Sequence, residues 1–202
     1  MSAEVSTKKY SYVNLIAKIA ILGAIAVIVM LFEVAIPFFP PFYKLGLDEV
    51  IVMIGGFALG WLPAIIIEAL KVVLNLLLNG TMTGGIGELA NFIMGCSFVV
   101  PAAYIYQHKK TMKSAIIGMC IGTLSLVVIG ALVNYFIVLP LYAGVFGWPI
   151  ETIIEMGTKL NASVTDLKTF VLLMNCPFNL IKGVLSSLIV FISYKKISPL
   201  LK

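Results

Sequence analysis

The sequence predicts an all-α membrane protein of six transmembrane helices, because it is very apolar, carries few charges and contains long apolar runs. Its 202 residues are 61% hydrophobic and 11% charged, and the mean hydropathy is +1.10. A soluble domain is roughly half apolar and about a quarter charged, so an ordinary water-exposed surface is excluded. The long, non-alternating runs favour helices over the short strands of a membrane barrel.

The six helices are predicted within a single domain, residues 1–202, after a polar tail of residues 1–11. A spanning helix needs roughly 20 mostly apolar residues. The predicted spans cover about residues 12–36, 49–60, 62–78, 88–106, 114–139 and 167–194. The second is too short to cross as an untilted helix, so the loop before it is a candidate to dip into the protein.

Proline and glycine mark the breaks between these helices. The segment Pro37–Pro41 ends the first helix, because proline lacks a backbone N–H and restricts φ, and Pro140 is predicted to end the fifth. Trp61–Pro63 forms a tight turn, and the glycine-rich stretch Asn79–Gly87 cannot remain regular helix. The polar stretch 141–166 is expected to carry a short interfacial helix.

Lysine alone supplies the positive charge, and its distribution predicts the orientation. One side of the membrane holds Lys8, Lys9, Lys109, Lys110, Lys113, Lys195, Lys196 and Lys202. The other side holds Lys44, Lys159 and Lys168, with most of the acids. The positive-inside rule therefore places both termini in the cytoplasm and the longer, irregular loops outside. Lysines dispersed at helix ends indicate topology and contact with lipid, not nucleic-acid binding.

Charged groups inside a span are costly and are functional candidates by default. The third span carries Glu68, Lys71 and Asn75, whose spacing of three and seven residues puts them on one helix face. Two interpretations stand: an internal Glu68–Lys71 pair that fixes helix packing, or a stripe that lines or braces a polar cavity.

The sixth span carries a second polar group, Asn175, Asn179 and Lys182, of which the last two are three residues apart. An amide and an ammonium on one face predict a shared partner with carbonyl or ring-nitrogen acceptors, and Pro177 is expected to kink the helix nearby. The alternative for Lys182 is a side chain that reaches the interface. Asn134, in the fifth span, either joins this group or holds two helices together.

Small residues recur at four-residue spacing, which lets helix backbones approach closely. These pairs are Ala20/Ala24, Gly56/Gly60 and Gly118/Gly122. Packing within the chain is the simpler interpretation. The first helix is otherwise plain, so its Ala20/Ala24 stripe is also a candidate docking surface for another membrane protein.

Catalytic and metal-binding motifs are missing from the sequence. It contains no Walker A sequence, no HExxH, no GxSxG and no Cys/His cluster with metal-ligand spacing. We therefore expect neither an enzyme nor a resident metal or cofactor, and any ATPase that drives transport must be another chain.

The segment Asn175–Gly183, with the sequence NCPFNLIKG, resembles the sixth-span signature of riboflavin-type S-components of energy-coupling factor transporters, the RibU family. Weaker matches cover most of the chain. They are Leu47-Asp48, Glu68–Asn75, Gly87–Asn91 and Asn134–Tyr142.

The resemblance implies a fold of six helices with both termini inside and a riboflavin pocket near the external face, covered by the first external loop. It implies delivery through a transmembrane coupling subunit and two cytoplasmic ATPases in a bacterial cell membrane. The family's isoalloxazine-binding residues correspond to Asn134, Asn179 and Lys182. Its motif that docks the coupling subunit corresponds to Ala20 and Ala24.

The chemistry of the residues agrees with a flavin ligand. Isoalloxazine is flat and largely apolar with one polar edge, so an apolar pocket with a few convergent donors suits it. The ribityl chain needs hydroxyl partners, for which Asp48, Glu88 and Asn91 are candidates beside Leu47 and Gly87.

Three questions stay open at this point. FMN or flavin analogues are further candidate ligands, and another small vitamin is an alternative substrate. A stand-alone ion-coupled carrier that uses Glu68 and Lys71 is the more distant alternative.

Overall fold

The computed structural model describes residues 2–81, 83–147 and 149–197, and their side chains except at 2–11, 145–146 and 194–197. The side chains of five of the lysines used for the orientation lie outside these limits. They are Lys8, Lys9, Lys195, Lys196 and Lys202.

Helices make up most of the described chain, as predicted. The α-helices are α1 Ser2–Met30, α2 Asp48–Leu59, α3 Trp61–Asn79, α4 Ile86–His108, α5 Met112–Val133, α6 Leu139–Phe146, α7 Ile150–Leu160, α8 Leu167–Phe170 and α9 Cys176–Ile197. Two π-helical turns, π1 Asn134–Val138 and π2 Val171–Asn175, join α5 to α6 and α8 to α9. Two short strands are β1 Val34–Ala35 and β2 Lys44–Leu45.

Five helical segments of the described chain are long and apolar enough to cross a membrane. They are Tyr12–Met30, Trp61–Asn79, Ile86–His108, Met112–Gly144 and Leu167–Ser193. Helix α2 has 12 residues, which give about 18 Å at the usual helical rise, against roughly 30 Å of hydrocarbon. The multi-pass character is confirmed, whereas a sixth span is not among these segments.

The first predicted helix is wrong over its last residues. Helix α1 ends at Met30 instead of Ile36, and Val34–Ala35 pairs antiparallel with Lys44–Leu45 to form a hairpin. A short apolar run does not distinguish a strand from a helix by its composition. Pairing with a segment about ten residues away makes Val34–Ala35 a strand. Within the described residues, this hairpin departs from the predicted all-α structure.

The fifth predicted helix continues through Pro140 instead of ending before it. The amide of Leu139 bonds to the carbonyl of Asn134, five residues back. The amide of Cys176 bonds in the same way to Val171, just before Pro177. A proline removes one helical hydrogen bond and crowds the preceding turn. Widening that turn into a π-helix accommodates the ring, so the helix bypasses each proline.

The loops lie at two opposite ends of the helices. The α2–α3 turn, with Gly60 and Trp61, lies beside Gln107 and His108 at the end of α4. At the other end, the hairpin faces α7 across a crevice of about 390 Å³. Helix α7 is the short helix predicted within 141–166. The hairpin and α7 therefore lie at the same end of the helices.

Close packing of α4 on α5 depends on two glycines. A Cβ on Gly118 would lie 2.7 Å from the carbonyl oxygen of Ala102, and a Cβ on Gly122 would overlap that of Phe98. Gly56 plays the same part in α2, where a Cβ would lie 2.9 Å from that of Ala103. For these positions, packing within the chain is the function of the small residues.

We predict that Gly122→Ala destabilises the protein by about 1–3 kcal/mol, because the new methyl meets backbone that cannot yield. Alanine is the better helix former by about 1 kcal/mol, so a loss would be due to packing. The measurement is the unfolding midpoint in detergent. Gly144→Ala is the control, since no described atom lies within 4 Å of its Cβ. Equal midpoints for the two variants would contradict the packing role.

Candidate binding site and its buried charge cluster

The Lys71 ammonium is buried at the middle of α3 and surrounded by three carboxylates. It donates hydrogen bonds to Asp48 at 2.6 Å and to Glu49 at 3.1 Å. It also forms an ion pair of 2.8 Å with Glu68, which bears out the predicted pairing one helical turn apart. These four side chains are at most 2% exposed. Burial at this level requires compensation of each charge by another.

The position of the cluster explains the geometry around it. Helix α2 begins at Asp48 and Glu49, two of the cluster's carboxylates, and ends at Leu59, and the β1–β2 hairpin precedes it in the chain. Space on the α4 side comes from Gly95, where a Cβ would overlap Glu68 and lie 3.0 Å from Glu49 Oε1. The cluster therefore links the start of α2 to α3 and lies against α4 at Gly95.

Lys182, on α9, approaches the same cluster. Its ammonium lies 3.6 Å from Glu49 Oε1, and its side chain is 12% exposed. Glu49 is its ion-pair partner among the described residues. Glu49 compensates the charge of Lys182. Because 3.6 Å is longer than a normal hydrogen bond, the N–H donors of Lys182 stay available to another acceptor.

A chain of amides leads from Asn179 to the hairpin. The Nδ2 of Asn179 donates to the Oδ1 of Asn175 at 3.1 Å, and the Nδ2 of Asn175 donates to the Tyr43 hydroxyl at 3.2 Å. The hairpin is thus joined to the polar face of the sixth predicted span.

Asn134 lies close to Asn179, on the neighbouring helix. Its Nδ2 donates to the carbonyl oxygen of Gly130 at 2.9 Å. A Cβ on Gly130 would overlap the amide of Asn179, so this glycine allows the two helices to approach. The structure therefore brings Asn134, Asn179 and Lys182 to adjoining faces of α9 and π1.

Aromatic side chains of the hairpin cover this region. Phe39 packs edge-on against Phe178, with ring centroids 5.4 Å apart, and Tyr43 stacks on the same ring at 5.1 Å. Phe42 stacks on Phe170 at 6.4 Å. The result is a layer of rings between the hairpin and the last predicted span.

Other predicted site residues lie outside the charge cluster. The Oδ1 of Asn75 accepts a hydrogen bond from Asn79. Glu88 accepts from the Thr83 hydroxyl at 2.9 Å, which in turn accepts from the amide of Gly87. Asn91 is half-buried one turn beyond Glu88. Leu47 is 41% exposed at the start of α2.

Three residues of this arrangement were absent from the predicted site: Glu49, Asn175 and Tyr43. Glu49 was placed at the start of a span, where an acid is ordinarily solvated. The signal that could have found it is a pair of adjacent acids opening an apolar helix too short to cross the membrane. Asn175 repeats the polar face of Asn179 one turn earlier, whereas Tyr43 carries no comparable sequence signal.

Ala20 and Ala24, the predicted docking pair, are both exposed on α1. Apolar side chains accompany them on the exposed part of this helix. They include Ile16, Ile21, Ile25 and Ile28. The stripe is therefore accessible from outside the described fold, unlike the glycines that pack α4 on α5.

The family model of the ECF transporter substrate-specific component matches residues 14–194 of this chain. The chain belongs to this family. The match covers four of the five long apolar helical segments in full and the first, Tyr12–Met30, from residue 14 onward. It is a multi-pass protein of the cell membrane from a family of transporter components.

The chain is also similar to relatives of known name and to a solved structure. The riboflavin transporter RibU of Staphylococcus aureus is 32% identical over 184 residues, 91% of this chain and 90% of the relative. The riboflavin transporter FmnP of Bacillus subtilis is 29% identical, with 90% of each chain covered. A solved S component of a bacterial ECF transporter has a TM-score of 0.74 and 30% identity, covering 94% and 98% of the two chains.

We predict that Lys71→Met destabilises this substrate-specific component by about 3–5 kcal/mol, because three buried carboxylates lose their shared counter-ion. Lys44→Met is the control. It breaks the Lys44–Glu33 pair, whose lysine is 49% exposed, and exposed pairs contribute about 0–1 kcal/mol. The measurement is denaturant unfolding in detergent. Similar losses for the two variants would contradict a structural role for the cluster.

Proposed function

We propose that this chain is the substrate-binding subunit of a riboflavin importer and captures riboflavin at the external face. It is not an enzyme, and riboflavin is its cargo instead of a cofactor. FMN and flavin analogues are the chemically related candidates. The names of the two relatives support riboflavin, and the polar group around Lys182 supports a ligand with an edge of acceptors.

The observation that carries the proposal is the contrast between Lys71, whose side chain is fully buried, and Lys182, whose side chain is 12% exposed. Lys71 is surrounded by three carboxylates at 3.1 Å or less, so its donors are used within the protein. Lys182 has one described partner at 3.6 Å. A buried ammonium with donors to spare, one turn from Asn179, suits the carbonyl and nitrogen edge of isoalloxazine.

The aromatic layer supports a flat ligand. The hairpin rings now pack on Phe170 and Phe178. A bound isoalloxazine ring would replace these contacts, because aromatic side chains could pack on its two flat faces instead. Capture would then require the hairpin to move away from the last predicted span. The Thr83–Glu88 group, Gly87 and Asn91 lie at the start of α4, where they are candidates for the ribityl hydroxyls. Leu47, at the start of α2, is a further candidate contact. The Asp48 carboxylate already accepts a hydrogen bond from Lys71, so it can accept one from the ribityl chain only while it also binds Lys71.

The remaining features follow from the same proposal. Helix α2 and the hairpin together act as the second of six membrane passes, which places both termini in the cytoplasm. A transmembrane coupling subunit and two cytoplasmic ATPases supply the driving force, since the sequence holds no nucleotide-binding motif. Ala20 and Ala24 on α1 form the contact with the coupling subunit, because a small-residue stripe lets another helix approach closely.

We predict that Lys182→Met weakens riboflavin binding roughly 10- to 100-fold, as expected when a buried acceptor loses a charged donor. The measurement is quenching of flavin fluorescence by the purified protein. Lys168→Met, which removes an exposed lysine from α8, should bind like the wild type. Equal affinity of the two variants would exclude Lys182 from the site.

The substrate is tested separately by spectroscopy of the protein as purified and by a screen of small vitamins. A yellow, fluorescence-quenched ligand supports riboflavin. If another vitamin binds more tightly than riboflavin, the chain is still a substrate-binding subunit, but that vitamin is its substrate.

We also predict that Ala20→Phe with Ala24→Phe abolishes co-purification with the coupling subunit while riboflavin affinity stays unchanged, because both positions are exposed on α1, which carries none of the proposed riboflavin-binding residues. Val128→Phe is the matched control, since it enlarges an exposed position of α5. Persistence of the complex in the double variant would move the contact to another helix.

A further inference from the structure

Among the described ion pairs, Glu49 alone of the three carboxylates lies within 4 Å of both lysine ammonium groups. Its Oε1 lies 3.1 Å from the Lys71 ammonium and 3.6 Å from the Lys182 ammonium. Asp48 and Glu68 form their described ion pairs with Lys71. One oxygen atom therefore connects the charge cluster to the lysine that faces the candidate ligand.

Glu49 is itself held in place. The hydrogen bond from Lys71 fixes Oε1, and Lys71 is in turn bound to Asp48 on the same turn of α2. The side chain of Glu49 is 2% exposed, so water does not compete for the carboxylate. An anchored carboxylate presents a fixed negative charge to whatever ammonium approaches it.

Lys182, by contrast, has a long side chain that needs such an anchor. A lysine side chain loses up to about 2 kcal/mol of rotamer entropy when it is ordered. If the Lys182 side chain is already ordered before a ligand arrives, this entropy cost does not reduce the binding affinity. At 3.6 Å the carboxylate attracts the ammonium without consuming its donors.

We propose that Glu49 is a positioning residue of the ligand site, which holds the Lys182 ammonium in its binding geometry and is itself held by Lys71. The proposal rests on the function proposed above, in which Lys182 contacts the ligand. Glu49 acts through Lys182 and does not touch the ligand.

The test is a double-mutant cycle on riboflavin affinity with Glu49→Gln and Lys182→Gln. Glu49→Gln alone should weaken binding roughly tenfold, within the range of coupling between contacting residues. In the Lys182→Gln background it should have no further effect, because there is no ammonium left to position. A purely structural role would instead lower affinity in both backgrounds.

Glu68→Gln is the matched comparison, because it removes the same charge from the same cluster. Glu68 pairs with Lys71 and not with Lys182 among the described contacts, so its effect on affinity should be smaller than that of Glu49→Gln, even at an equal loss of thermal stability. If Glu49→Gln does not fold, Glu49→Asp replaces it, since it keeps the charge but retracts the carboxylate. It should weaken binding only when Lys182 is present.

The outcomes separate this inference from the proposed function. Loss of affinity with Lys182→Gln, combined with unchanged affinity in Glu49→Gln or additive losses in the double variant, overturns the positioning role and leaves the function standing. Unchanged affinity with Lys182→Gln also overturns the positioning role, because Lys182 then contacts no ligand, but it leaves riboflavin binding standing. Failure of the unmodified protein to bind riboflavin overturns the proposed function.

Discussion

The burial of one ammonium among three carboxylates constrains the rest of this structure. A lone charge in the middle of a membrane protein is costly, and Lys71 is tolerated because Asp48, Glu49 and Glu68 surround it. Asp48 and Glu49 are the first two residues of α2, so the cluster joins the start of this short helix to Lys71 of α3. Gly95 supplies the room that Glu68 needs on α4.

The same cluster links stability to the site. Lys71 is fully engaged with the protein, whereas Lys182 shares one oxygen of Glu49 and keeps its donors. A rigid polar core thus supports an adjacent, incompletely paired polar surface. Amides from Asn179 and Asn175 continue that surface to Tyr43 of the hairpin, and aromatic rings close it. Binding of a flat ligand would have to compete with these contacts, which ties capture to movement of the hairpin.

Predictions from the sequence succeeded where local physics decides. The long apolar helices, the glycine-rich break, the short helix within 141–166 and the Glu68–Lys71 pair all depend on residues close together in the chain. They failed at Pro140 and at Val34–Ala35. A π-helical turn accommodates the proline, and pairing with Lys44–Leu45 competes with the helix. Neither alternative can be read from composition, because both depend on hydrogen bonds that the local residue types do not specify.

The membrane character, the position of most helices and the polar residues within them follow from the sequence itself, because burial in lipid permits few charges and only satisfied backbone. The sequence also carries the signature that identifies its family. Only the tertiary structure decided which polar residues meet. It brought Glu49 from α2 to Lys182 of α9 and joined Asn175 to Tyr43 across more than a hundred residues of chain. Such partners depend on how the helices pack, because a buried charge is stabilised by an opposite charge that the fold places beside it.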